Sequence, residues 1–232
     1  MYNTVLLKLS GEAIAEKGFP FSIDTLDYLA KQIKALVKKG VKVGIVVGGG
    51  NMCRGRQFKT LGIKQERADY IGMCATVMNA QMLGAALTKN KVDNVVFTTF
   101  PVNKVLNYDP KKANSYLKKG YVCVFGGGTG KPFFSTDTAC ALRATDIKAD
   151  AILFAKNGTN GVYDSDPNKN PNAKRYETLS YNDIIKNKLE VIDLAAAKIL
   201  KKNNIEGFVF DMAEKDAIKK SVNHKVTGTV IK

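Results

Sequence analysis

The sequence predicts an α/β fold in which a mostly parallel sheet is covered by helices on both faces. Two observations predict it. Short runs that are apolar from end to end, the kind of strand buried on both faces, alternate along the chain with segments of helical periodicity. Three of those runs lead straight into glycine-rich turns, and open α/β sheets gather their ligand-binding loops at such strand ends. With 232 residues, the chain can bury a sizeable core, and no repeat or low-complexity linker divides it, so residues 1–232 are expected to form one domain.

The first strand is TVLLKL at 4–9, which runs into KLSGEA. A helix follows, with Asp24 as its expected cap, an apolar face of Leu26, Leu29, Ile33, Leu36 and Val37, and Gly40 in the C-terminal cap position. The second strand, VKVGIVV at 41–47, leads into GGGNMCRG. A long helix is expected over 66–89, then the strand NVVFT at 94–98 and the strand YVCVF at 121–125, which opens into GGGTGKPFFSTD and a helix over 136–148. After DAILFA at 150–155, residues 157–177 form the longest turn-rich insertion, expected as a hairpin or lid-like excursion. Helices over 192–203 and 213–220 flank the strand GFVFDM at 207–212, and TGTVIK reads as a final edge strand.

Composition removes several classes of function. Hydrophobic residues make up 45% of the chain with no apolar run near the 18 residues a membrane span needs, so no membrane partner is expected. MYNTVLLKLSGEA has no basic stretch before its apolar residues and no small-residue cleavage pattern, so it reads as a strand rather than a signal peptide, and a cytoplasmic protein is expected. Cys53, Cys74, Cys123 and Cys140 are far apart with no CxxC pair, which predicts reduced thiols and no zinc, and the lone His224 lies away from every glycine loop. The formal net charge of +15 comes from lysines scattered over polar helix faces, as in KQIKALVKKG, without basic blocks or interleaved aromatics. Such a field draws in small anions but does not predict a nucleic-acid partner.

Two separate GGG triplets and KLSGEA, each after an apolar strand, could together line a site for a multiply phosphorylated ligand, because bare backbone lets N–H groups approach phosphate. The familiar phosphate motifs fail. GTGKPF would need a glycine at Phe125 and a hydroxyl residue at Pro132 to be a Walker loop. A dinucleotide fingerprint would need glycines where Cys53 and Lys131 stand. With no Ser-His-Asp set and no HRD or DFG element, the available chemistry rests on lysine, arginine, aspartate and backbone amides, a set suited to phosphoryl transfer.

LLKLSGEA, GGGNMCRG, ATVMNA, GGGTGKPFFSTD, GVYDSDP and VIDLAA, in this order and spacing, resemble the bacterial-type UMP kinases of the amino-acid kinase family over essentially the whole chain. The resemblance implies a three-layer α/β/α fold, phosphorylation of UMP by ATP with Mg²⁺ as MgATP, no protein-held metal, and a homohexamer. It implies catalytic roles for Lys8, Asp137 and Asp193, with Asp193 holding the catalytic lysine and Asp137 near the transferred group or its metal, although Asp137 also suits a helix cap. Lys8, Leu9, Ser10, Gly11, Gly50, Arg54, Asn157, Tyr163 and Asp166 match ATP-binding positions. Gly49 matches a UMP-phosphate position, Asp69 the residue that binds the ribose hydroxyls, and Thr129, Gly130, Lys131, Pro132, Phe133, Phe134, Ser135 and Thr136 the segment that wraps the uridine and its phosphate. Asp69 also suits a helix dipole. A carboxylate kinase of the same family would share Lys8 and the glycine loops but lack TGKPFFSTD, and a non-catalytic nucleotide-binding regulator could dispense with Lys8 and Asp193.

Overall fold

A computed structural model describes residues 1–53, 61–167, 169–187, 189 and 191–232. The buried strands β1 (Thr4–Leu9), β2 (Lys42–Val47), β3 (Asn94–Thr98), β5 (Val122–Gly126), β6 (Ala151–Lys156) and β10 (Glu206–Asp211) are all parallel. With the short β4 (Leu106–Asn107) and β9 (Thr178–Leu179) and the C-terminal β11 (Gly228–Ile231), they form a nine-stranded sheet in the order β4-β3-β5-β2-β1-β6-β10-β11-β9. β11 runs antiparallel to β10 and is not the edge, because β9 pairs along its outer side.

Helices α1 (Ile23–Val37), α2 (Gln65–Lys89) and α7 (Ala217–Ser221) cover one face, and α3 (Pro110–Lys118), α4 (Thr136–Asp146), α5 (Tyr181–Asn187) and α6 (Leu194–Lys202) the other. Because side chains alternate across a strand, Val5, Leu7 and Leu9 enter the core under α1 and α2, whereas Leu6 enters the core under α4. The cap of α1 is Ser22, whose hydroxyl accepts from Thr25 N at 3.4 Å, and Asp24 instead lies in the first turn, where its charge complements the helix dipole. Gly40 holds the expected C-terminal position, with φ at +80° and Val41 N bonded to Leu36 O at 3.2 Å.

α2 alters one expectation. Among the described residues it is long and apolar enough to cross a membrane, at 25 residues with an 18-residue stretch of mean hydropathy 1.2, yet Ala80, Leu83 and Leu87 pack into the core. The excursion after β6 is a hairpin of β7 (Val162–Tyr163) and β8 (Arg175–Tyr176), tied to the main sheet where Val162 N bonds Thr229 Oγ1 at 2.9 Å. The four cysteines are unpaired, and burial pushes the Cys123 thiol up to about 12.

Candidate functional site

The parallel strands bring KLSGEA, both glycine triplets and the end of β6 to one edge of the sheet. Lys8 shares the α4-facing side of β1 with Leu6, and its neighbours in register are Val46 and Phe154. Its ammonium meets Asp137 Oδ1 at 2.8 Å, with the two side chains only 15% and 18% exposed. Burial disfavours the charge on Lys8, but Asp137, with smaller help from Cys140 and Glu12, outweighs it, so the lysine is held above its usual pKa and stays charged through the neutral range. Asp137 Oδ1 has no hydrogen-bond partner beyond this ion pair.

Lys156, to which the sequence assigns no role, joins the candidate site in the structure. Alternation puts Ile152, Phe154 and Lys156 on the same side of β6, so its ammonium shares a cleft with Asp137 and feels the charge of Lys8 on the neighbouring strand. Burial, and then the Lys8 charge, lower its pKa. Asp137, Lys156, Leu189, Ile192 and Asp193 line a cleft of about 440 Å³. The alternation in AILFAK, set against LLKL, was the signal that could have found it.

Among the described residues Asp193 forms no ion pair with a lysine. As N-cap of α6 it accepts from Ala196 N at 2.8 Å, and its other bonds come from the hydroxyls of Ser135 and Thr138 on α4. Burial alone would raise its pKa, but these donors hold the carboxyl below the usual carboxylate range. The Ser135 oxygen in turn caps α4 through Asp137 N and Thr138 N at 3.0 and 3.1 Å. Ser135, rather than Asp137, is therefore the helix cap, which frees the Asp137 carboxylate to face Lys8.

The bare backbone of the first triplet has a packing cause. A Cβ on Gly49 would lie 2.9 Å from Gly72 O and 3.1 Å from Ala75 Cβ, so the loop rests directly on α2. At Gly50 it would strike the Glu12 carboxylate, and at Gly11 the loop of 48–51 itself, with Gly50 N at 2.7 Å. The buried Asn79 fixes this arrangement, donating to Gly48 O at 2.6 Å and to Asn51 Oδ1 at 2.7 Å, while Asn51 reaches Pro20 O at 2.7 Å. Gly49→Val is accordingly expected to lower the melting temperature by about 3–10 °C, since overpacking costs roughly 1–3 kcal/mol. An unchanged melting curve would show that the loop does not bear on α2.

Gly49, Gly50, Asp69, Thr129, Lys131, Phe134, Ser135 and Thr136 line a second cleft, of about 360 Å³, with Gly72 and Met73 of α2 as its floor. Asp69 lies beyond the first turn of α2, so it is not there for the helix dipole. Its Oδ2 accepts from Phe133 N at 2.7 Å and its Oδ1 from Gln65 Nε2 at 2.7 Å. Phe133 has φ at +66° and is 72% exposed; it lies outside this cleft, as do Gly130 and Pro132, which line a neighbouring one beside Tyr70. Thr129 Oγ1 closes the turn by accepting from Lys131 N at 3.1 Å.

Other expected residues are less closely gathered. The Leu9 side chain is fully buried and its carbonyl accepts from Gly48 N at 2.9 Å, within the ladder that joins β1 to β2. Ser10 precedes the short 3₁₀ turn Gly11–Ile14 with no side-chain cap bond. Asn157 is exposed just past β6, Tyr163 on β7 donates to Asn160 at 2.6 Å, and Asp166 lies 3.7 Å from the Lys169 ammonium; all three fall outside both clefts. Arg54 lies outside the described residues.

Comparison with known proteins agrees with this geometry. The Amino acid kinase family matches residues 3–211. A protein named uridylate kinase from Mycoplasmopsis pulmonis (strain UAB CTIP) is 44% identical over 241 residues, covering 100% of this chain and 97% of that protein. The crystal structure of UMP kinase from Bacillus anthracis superposes with a TM-score of 0.95 at 38% identity, covering 99% of this chain and 96% of that one. The crystal structure of UMP kinase from Ureaplasma parvum also gives 0.95, at 34% identity, over 100% of this chain and 99% of that one. With its sheet order, its two glycine triplets and its lysine pair at one sheet edge, the chain belongs to the amino acid kinase family, on its uridylate kinase branch.

Proposed function

We propose that this chain transfers the γ-phosphoryl group of ATP to UMP, giving ADP and UDP. The observation that carries this is the placing of Asp137, which pairs with Lys8 and lines one cleft beside Lys156 and Asp193, directly after Ser135 and Thr136, which line the other cleft with Gly49 and Asp69. A UMP phosphate oxygen attacks the γ-phosphorus while the bond to the β-bridging oxygen breaks and its electrons leave with ADP. The acceptor phosphate is already ionised near neutral pH, so no general base is required. Lys8 and Lys156 counter the charge on the transferring oxygens, Asp137 orients Lys8, and Asp193 acts through Ser135 and Thr138 by fixing the start of α4.

On the donor side, Leu9, Ser10, Gly11 and Gly50 meet the ATP phosphates through backbone and hydroxyl groups, and Asn157, Tyr163 and Asp166 hold its adenosine; Arg54 is assigned to the same phosphates. On the acceptor side, Gly49 faces the UMP phosphate, Asp69 takes the ribose hydroxyls, and Thr129, Gly130, Lys131, Pro132, Phe133, Phe134, Ser135 and Thr136 enclose the base and phosphate. A small carboxylate acceptor suits this cleft poorly, because it would face the Asp69 carboxylate.

Mg²⁺ fits as an ion brought in on ATP. Among the described residues no group of three or more His, Cys, Asp or Glu side chains could hold a metal, and Asp193 is engaged by three donors. Asp137, whose Oδ1 has only the Lys8 contact, is the protein carboxylate that would face it. When bound, the ion neutralises phosphate charge. The proposal extends to a cytoplasmic homohexamer of single-domain chains serving pyrimidine nucleotide synthesis, with neither nucleic acid nor membrane as partner.

The test is a coupled ADP-release assay over a panel of nucleoside monophosphates and small carboxylates. Turnover with UMP well above every carboxylate is expected, and turnover only with a carboxylate would overturn the assignment.

A further inference from the structure

Arg143 is a cation the reaction does not touch, yet its side chain is only 8% exposed. A buried guanidinium persists only where it is paired, and the identity of its partners indicates its use. Nη1 meets Asp146 Oδ2 at 3.0 Å, the guanidinium carbon lies 3.7 Å over the Tyr108 ring, and Nη2 donates to Gly128 O at 3.4 Å. The cage closes on itself, because Tyr108 OH donates to the same Asp146 oxygen at 2.7 Å. Tyr108 N is also tied to Thr98 O at the end of β3 at 2.7 Å.

The target of this cage is the second glycine triplet. Gly127 N donates to Thr76 Oγ1 on α2 at 2.8 Å, Gly127 O accepts from Thr99 Oγ1 at 2.6 Å, and Gly128 O accepts from Arg143 on α4. A helix on each face and the residue just after β3 thus each hold one peptide group of a turn that no side chain of its own can brace. A Cβ at Gly127 would sit 2.4 Å from Thr99 Oγ1, so the turn is pressed against its holders. Gly128 and Thr129 then line the cleft that also contains Asp69.

We infer that Arg143 is a positioning residue for the acceptor, fixing the height of the Gly128–Thr129 wall relative to the point of transfer. α4 makes this possible, since it presents Asp137 to Lys8 in its first turn and Arg143 to Gly128 about 9 Å further along its axis. One rigid helix therefore spaces the phosphoryl-transfer point from the acceptor wall. The inference rests on the acceptor cleft proposed above. It goes beyond that reading by assigning acceptor affinity to a side chain that does not line the cleft.

Arg143→Lys retains the charge but loses the planar stack and the fork that reaches both Asp146 and Gly128. It is expected to raise KM for UMP about tenfold, with kcat at saturating UMP and KM for ATP each within about twofold of wild type. Tyr108→Phe keeps the ring and removes only the bond to Asp146, so a rise of about twofold in KM for UMP is expected. Calorimetric binding of UMP should weaken in the same order. A lowered melting temperature with KM for UMP unchanged would make Arg143 mere filling and overturn the inference, as would equal losses toward ATP and UMP. If Arg143→Lys does not fold, Tyr108→Phe and Asp146→Asn carry the same comparison. Wild-type protein that does not turn over UMP at all would instead refute the proposed reaction, and the Arg143 variants would then be read on whichever acceptor the panel identifies.

Discussion

Lys8→Ala is expected to lower kcat by at least ~100-fold while UMP affinity changes little, because the ammonium matters most when charge spreads over the transferring phosphoryl oxygens. The structure adds a second consequence. Removing Lys8 strands the Asp137 carboxylate, which is 18% exposed and has no other partner for Oδ1. Breaking a buried pair by deleting one member costs about 3 kcal/mol. The single variant should therefore melt several degrees early as well as turn over slowly, and the two effects have to be separated. Lys8→Met combined with Asp137→Asn leaves no stranded charge. It should recover most of the melting temperature and none of the rate. A folded Lys8→Ala protein with kcat near wild type would remove the lysine from the mechanism, and recovery of activity in the double variant would make its role purely structural.

The second large effect is expected at Asp69. If both ribose hydroxyls donate to its carboxylate, Asp69→Asn should reduce kcat/KM for UMP roughly tenfold to a hundredfold, since charged hydrogen bonds contribute about 1.5 to 3 kcal/mol. The amide also donates from one end, which a hydroxyl donor meets poorly. In the folded chain the two carboxylate oxygens already accept from Gln65 and from Phe133 N, so the same side chain anchors the segment over the cleft and faces the sugar. Asparagine can keep the Phe133 bond through its own oxygen. The loss should then fall on the sugar, and dUMP, which lacks one hydroxyl, should suffer less than UMP. Steady-state kinetics with both nucleotides, beside a melting curve, decide this. An unaltered UMP to dUMP ratio with a lowered melting temperature would leave Asp69 as an anchor of the segment only.

The six buried parallel strands were legible because their signal is local: runs such as VGIVV and AILFA are apolar throughout, and their ends were placed within a residue. The helix Pro110–Lys118 was not, although Asp109 caps it and proline stands at its start, because only Ala113 and Leu117 of PKKANSYLK are buried and the rest reads as polar loop. Tyr181–Asn187 was missed for the same reason, with only Tyr181 and Ile184 buried. In the site, the loops were legible and the partnerships were not. That Lys8 pairs with Asp137 and that Asp193 instead grips Ser135 depends on how α4 and α6 lie against the sheet, which no spacing within either segment encodes. The same holds for Gly49, whose missing side chain answers to Gly72, a residue on another element.

The sheet order also dictates when the site can exist during synthesis. β1 sits between β2 and β6, so Lys8 waits on one side for a neighbour that follows within about forty residues and on the other for one encoded beyond residue 150. A nascent chain that has emerged to residue 130, just past β5, holds both glycine triplets and Lys8, but neither Asp137 nor Lys156, and one flank of β1 is an open, apolar strand edge. Pairing so distant along the chain is slow to form and leaves that edge available to other strands meanwhile. Ribosome release in the wrong place, or a stall before β6, would therefore yield an aggregation-prone fragment that carries both glycine triplets without Asp137 or Lys156, because the central strand of the sheet is closed only by the second half of the chain.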